Sequence, residues 1–199
     1  MAHKAAFLDR DGVINRKAPT EDGYVTRWEE MHMLPGVAQA IALLNRAGYL
    51  VIVVSNQRSV AKGVITAAEL NSMHERMCDE LAHAEAEAII HGVYYCPHDL
   101  RPSCSCRKPQ PGMLLEAART HHIDLSASWM IGDSDNDVEA GKNAGCRTVR
   151  LLRSNETGNR RADTVARSLL EATHKILDWT AVVADPTAAD GTHNSSCVS

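Results

Sequence analysis

The chain lacks the features that mark membrane and nucleic-acid proteins. No apolar run approaches the ~20 residues a membrane-spanning helix needs. The N-terminus enters a strand-like run within a few residues, with no apolar signal-peptide core before it. A cytoplasmic location and no membrane partner are therefore expected. Net charge is −4, so no global basic field favours nucleic acid, and an aromatic-basic pattern is missing as well. Internal repeats, heptads and an evident interface stripe are also missing, which makes a monomer the default expectation.

Six cysteines do not make a disulfide framework here. Three lie between Cys96 and Cys106, with His98 among them, while Cys78, Cys146 and Cys197 are scattered. In a cytosolic chain, clustered thiols with an imidazole favour metal over disulfide. Cys96, His98, Cys104 and Cys106 follow the spacing C-x-H-x5-C-x-C, a donor set suited to tetrahedral Zn²⁺. Four protein ligands leave no open position for chemistry, so the expected zinc is structural. It would pin a loop that runs into Arg107 and Lys108.

Three apolar runs end in polar residues. Ala5 to Leu8 leads into Asp9-Arg10-Asp11-Gly12, Leu50 to Val54 into Ser55-Asn56-Gln57, and Trp129 to Ile131 into Gly132-Asp133-Ser134-Asp135-Asn136-Asp137. Continuous apolar runs of this length read as parallel strands buried on both faces. Helical patterns alternate with them. Pro35-Gly36 opens one with Val37, Ile41 and Leu44 on its apolar face, and Gly48 stops it. Thr66-Ala67-Ala68-Glu69 has the form of a capping box before a helix carrying Leu70, Met73, Met77 and Leu81. Further strands are expected at Gly92–Tyr95 and Thr148–Leu152, and further helices from Pro111, from Asp135 to Asn143 and from Ser168 to about Trp179. The expected fold is α/β, a doubly wound, Rossmann-like parallel sheet in one domain over residues 1–180. Residues 181–199, small and polar from Asp185 on, read as a disordered tail. The polar stretch between Asn15 and Pro35 shows no period, and no segment is long enough for a large cap domain.

Asp9 and Asp11 are one residue apart at a strand end, so both carboxylates can face one site. Taken alone, D-x-D-G would also fit a turn with two solvated acids. With the other strand tips it suggests phosphate-ester chemistry, one carboxylate attacking phosphorus and the other managing the leaving-group proton. Attack by a carboxylate on a phosphate dianion needs a hard cation. Mg²⁺ suits few carboxylates plus waters and a substrate oxygen, and Asp133 is the best further ligand after Asp9. Asp137 reads as support for the metal ligands or the loop, and Asp135 and Asn136 as helix N-terminal acids or caps. Ser55 and Asn56 would hydrogen-bond the phosphoryl group, and Lys108 would neutralise it. Arg107 is the first candidate for a second phosphate, with Arg58 and Arg147 weaker; Glu21 or Asp22 would instead suit a substrate amine.

The order D-x-D-G, S-N-Q, R-K-P, G-D-x-x-x-D resembles the haloacid dehalogenase superfamily of phosphohydrolases. Gly23-Tyr24-Val25 and the cysteine insert are similar to its branch of heptose bisphosphate and histidinol-phosphate phosphatases. The resemblance spans about Lys4 to Trp179. It implies Asp9 as nucleophile, Asp11 as general acid/base with its main-chain carbonyl on Mg²⁺, and a small phosphorylated sugar as substrate. Histidinol phosphate is the alternative substrate, and a zinc-stabilised, non-catalytic binding module the alternative of another class. One departure stands out: some relatives carry a lysine after the first aspartate of the last motif, where this chain has Ser134. Arg58 is a candidate to restore that charge.

Overall fold

The apolar runs become the strands of one parallel sheet. A computed structural model describes residues 2–19, 22–101, 103–153, 156 and 161–184. The strands are β1 (Lys4–Leu8), β2 (Tyr49–Asn56), β3 (Gly92–Cys96), β4 (Trp129–Gly132), β5 (Arg147–Leu151) and β6 (Thr164–Ala166). The helices are α1 (Val37–Arg46), α2 (Arg58–Ala61), α3 (Ala67–Ala84), α4 (Gly112–His121), α5 (Asp135–Ala144) and α6 (Leu169–Ala184). The strand order is β3-β2-β1-β4-β5-β6, and every pairing is parallel. Chain order reverses at β1, which lies between β2 and β4. The crevice at such a switch point, outside the carboxyl ends of the strands, is where this topology binds ligands.

Both faces of the sheet are covered, because alternate strand residues serve opposite cores. Ala6 and Leu8 join Val51, Val53 and Ile131 beneath α1, α3 and α6. Ala5 and Phe7 join Ile52, Val54 and Met130 against α4 and α5. Local signals act as the residues suggest. Thr66 and Glu69 form a reciprocal capping box at α3, and Leu70, Met73, Met77 and Leu81 are all buried. Gly48 adopts φ 80°, the left-handed turn that ends the α1 segment.

Three details differ from the pattern reading. The Asn15–Pro35 stretch is polar in sequence yet holds a small core, with Ala18, Val25 and Met31 packed on Ile65, Leu70 and Met73. Strand β6 has no sequence signal, being only three residues long. Helix α6 continues to Ala184, past the expected end; the rest of the expected tail, 185–199, lies outside the described residues. The helix expected from Pro111 starts at Gly112, with Pro111 as its N-cap. No helix among the described residues is long and apolar enough to cross a membrane.

Candidate active site

Parallel register brings the strand tips together. Leu8 pairs with Val53 on β2 and with Ile131 on β4, and the Asp9 N–H donates to the Ile131 carbonyl at 3.0 Å. Asp9, Ser55 and Asp133 therefore emerge side by side, although up to 124 residues separate them. They line a cavity of about 200 Å³ with Asp11, Lys17 and Lys108.

Lys108 is the centre of this cavity's charge. Its side chain is 2 % exposed, and its Nζ lies 2.8 Å from Asp9 Oδ1, 2.6 Å from Asp137 Oδ1 and 2.7 Å from the Val54 carbonyl. Burial acts to lower its pKa, but Asp137 and Asp9 overcome it, so the ammonium is held well above the usual range. Burial pushes Asp9 up to about 7 against the pull of Lys108, with Asp137 and Asp11 adding repulsion. Asp137 is a scaffold for Lys108: its other oxygen caps α5 by accepting from Ser134 N at 2.9 Å and Ser134 Oγ at 2.5 Å. Gly132 permits this, because a Cβ there would stand 2.1 Å from the Asp137 Cβ.

Asn56 lines the cavity and has a second role. Both ends of its amide pair with the Lys108 backbone, each at 3.0 Å, so it anchors the lysine's loop and keeps its second Nδ2–H for a phosphate. Ser55 Oγ accepts from Gln57 Nε2 at 2.8 Å, which leaves its own O–H to donate into the cavity.

Asp11 is also more constrained than its motif suggests. Arg10 Nη2 donates to both Asp11 oxygens at 2.9 Å, and Asn15 and Gln57 donate at 2.9 Å each. Burial alone would raise the Asp11 carboxyl; Arg10, Asn15 and Gln57 outweigh it and hold it below the usual carboxylate range.

Among the described residues, two clusters have the donors and spacing for a metal. Asp9, Asp133 and Asp137 each offer a carboxylate oxygen, all within 4.8 Å of one another. Asp133 Oδ1 is buried with no hydrogen-bond partner, a costly state for a carboxylate that a hard cation relieves. Its Oδ2 receives Lys17 Nζ at 2.6 Å. Gly12, at φ 100°, leaves room for this pair; a Cβ there would meet Asp133 Oδ2 at 2.3 Å.

Cys96, His98, Cys104 and Cys106 form the second cluster. Sulfur–sulfur distances are 3.5 Å (Cys96–Cys104) and 3.4 Å (Cys104–Cys106), and His98 Nδ1 lies 3.5 and 3.2 Å from Cys96 and Cys106. A tetrahedral zinc with bonds of about 2.3 Å to sulfur would set sulfur–sulfur edges of about 3.8 Å, close to these values. Burial and the neighbouring thiols push Cys106 up to about 12, so a divalent cation is what allows such crowded thiols to ionise together.

Arg58, Arg107 and Arg147 are not among the residues lining the cavity. Arg58 Nε is bound to Asp99 Oδ1 at 2.5 Å, which neutralises the charge expected to stand in for a lysine at Ser134. Arg107 Nη1 reaches the His98 carbonyl at 3.3 Å. Arg147 begins β5, at the opposite end of the sheet, and stacks 5.8 and 5.4 Å from the Trp129 and Trp179 rings. Asp22 lines the cavity but pairs with Lys62 at 3.0 Å; Glu21 lies outside the described residues. Residues that pattern reading missed are Arg10, Lys17 and the side chain of Gln57. The first and last sit inside quoted motifs, whereas Lys17 lies in the aperiodic stretch and had no signal.

Comparison with known proteins finds relatives that cover most of this chain. A heptose-1,7-bisphosphate 7-phosphatase (D-glycero-beta-D-manno) from Rhodopseudomonas palustris is 45% identical over 154 residues, covering 74% of this chain and 82% of the relative. Its Bordetella bronchiseptica counterpart is 36% identical across 90% of this chain and 95% of the relative. The chain belongs to the haloacid dehalogenase superfamily. The superfamily model described as HAD-hyrolase-like matches residues 105–178, from the thiolate loop through most of α6. Among solved superfamily structures, the B. bronchiseptica D,D-heptose 1,7-bisphosphate phosphatase complexed with magnesium and phosphate aligns with a TM-score of 0.77. That alignment covers 88% of this chain and 99% of the other at 32% identity.

Proposed function

We propose that this chain is a Mg²⁺-dependent phosphatase that removes the C7 phosphate of D-glycero-D-manno-heptose 1,7-bisphosphate. The observation that carries the reading is Asp9, held at 2.8 Å by the buried Lys108 in a cavity shared with Ser55 and Asp133. The sugar is taken from the relatives, which bear that name at up to 45% identity.

Asp9, Asp133 and the Asp11 carbonyl would hold Mg²⁺, which when bound offsets the charge of the phosphoryl group. Lys108 opposes the effect of burial on Asp9, favouring its ionised form, and later neutralises a phosphoryl oxygen, to which Ser55 donates its O–H. Asp9 attacks phosphorus, the ester P–O bond breaks, and the leaving oxygen takes a proton from Asp11. Asp11 rests as a carboxylate, so its proton is gained as the negative phosphoryl group arrives and raises its proton affinity. In the second half, Asp11 takes a proton from water, the water oxygen attacks phosphorus, and Asp9 is released with inorganic phosphate. Arg107 is the guanidinium this reading assigns to the second phosphate, while Arg58 stays with Asp99. Residues 1–180 serve as the catalytic domain, with zinc on the thiolate loop as a structural ion.

The test is phosphate release with Mg²⁺ from both heptose bisphosphate anomers, fructose 1,6-bisphosphate and histidinol phosphate. Preference for one heptose anomer in kcat/KM, with Asp9→Asn dead, supports the proposal and gives the anomer. Preference for histidinol phosphate keeps the mechanism and overturns the substrate. No turnover on any of them points to a binding module.

A further inference from the structure

Arg10, between the two motif aspartates, has a side chain with no solvent exposure. A guanidinium so buried needs partners for its donors, and they lie on opposite sides. On one side Nη2 and Nε reach both Asp11 oxygens, at 2.9 and 3.2 Å. On the other, Nη1 lies 3.1 Å from Nε2 of His74, on the inner face of α3. Guanidinium can only donate, so His74 Nε2 must accept, and its proton sits on Nδ1. His74 is 4% exposed and its ring packs 5.6 Å from that of Tyr95 on β3. Burial and the Arg10 charge keep it neutral.

A neutral partner is chemically apt. A carboxylate at position 74 would compete with Asp11 for Arg10, whereas an imidazole acceptor fixes the guanidinium and leaves its charge to Asp11. Gln57 extends the chain, since its Nε2 bonds both Asp11 Oδ2 and Ser55 Oγ. We propose that His74 is a positioning residue for the general acid/base: through Arg10 it sets the orientation of Asp11, 63 residues away and in another element. The inference rests on the phosphatase reading above and on none of its substrate assignment.

The test uses His74→Phe, which removes the acceptor, His74→Gln, which keeps one, and His74→Glu, which adds a rival carboxylate. With an alkyl phosphate such as fructose 1,6-bisphosphate, His74→Phe and His74→Glu are expected to lose about 10-fold or more in kcat, with KM within about twofold. His74→Gln should stay within about threefold of wild type. p-Nitrophenyl phosphate needs little leaving-group protonation but still needs water deprotonated by Asp11. The weakened variants should therefore release a burst of nitrophenolate, one per active site, before slow turnover. The burst counts folded sites, so a merely unstable variant shows a smaller burst and an unchanged rate per site. If His74→Phe does not fold, His74→Glu decides alone. Wild-type kcat per site in His74→Glu, or equal losses on both esters without a burst, overturns the inference. Absence of turnover in the wild type overturns instead the phosphatase reading.

Discussion

The two metal-competent clusters are built in opposite ways. Cys96 ends β3 and His98, Cys104 and Cys106 follow in the adjoining loop, so their donors approach to 3.2–3.5 Å within one short stretch of chain. Asp9, Asp133 and Asp137 come from two distant chain segments and meet only because β1 and β4 are neighbours at the switch point. A local cluster declares itself by spacing, while a dispersed one depends on sheet order. The clusters are also linked. Lys108 lies two residues beyond Cys106 and pairs with Asp9 and Asp137, so the thiolate loop delivers the cation the carboxylates require.

The largest break in the comparison comes from Asp9→Asn. Turnover should fall by about 10⁴-fold or more, with zinc content and far-UV spectrum unchanged; retained turnover would remove Asp9 as nucleophile. Lys108→Met attacks the link. It should cost on the order of 10²–10³-fold in kcat, and about 3–5 kcal/mol in urea stability because two buried carboxylates lose their cation. Chelating the zinc tests whether the local cluster supports the dispersed one. We expect a melting temperature lower by roughly 6–12 °C, and an activity loss of about tenfold that zinc, not Mg²⁺, restores. An unchanged kcat in zinc-free protein would show that Asn56 alone suffices to hold Lys108.

The smallest expected effect is a pH dependence. Asp9 titrates near 7 in the metal-free fold and near 4 when unfolded, so the folded state keeps a proton the unfolded chain loses across that window. The Asp9 contribution to stability therefore falls as pH rises from about 4 to about 7. His74, depressed to about 3, contributes with the opposite sign over part of that range. Its effect cancels when wild type is compared with Asp9→Asn. The wild-type advantage in urea midpoint over Asp9→Asn should shrink between pH 4 and 7, and Mg²⁺ should remove the trend. A flat difference in metal-free buffer would show that Lys108 fully compensates the burial of Asp9.

Much of this molecule is legible in its chain. Val51 to Val54, buried on both faces, could only be a central strand, and the Thr66–Glu69 box marks the start of α3. The order of the four motifs points to the residues lining the cavity. What was not legible has one cause. Patterns record what a residue resembles locally, and on that ground Arg58, Asn56 and Arg147 read as phosphate-facing. Their partners Asp99, the Lys108 backbone and two tryptophans are brought near only by the fold.

By itself, the sequence determined every strand but β6, most helix boundaries, the zinc-type donor set and the acids available for chemistry, because each rests on spacing within a few residues. The tertiary structure alone decided which cation meets which carboxylate. Lys108 bridges Asp9 and Asp137, Lys17 meets Asp133, and Arg10 is fixed between His74 and Asp11. Those pairings depend on charges brought within about 3 Å in a low-dielectric interior, where Coulombic energy depends steeply on position and chain distance is irrelevant.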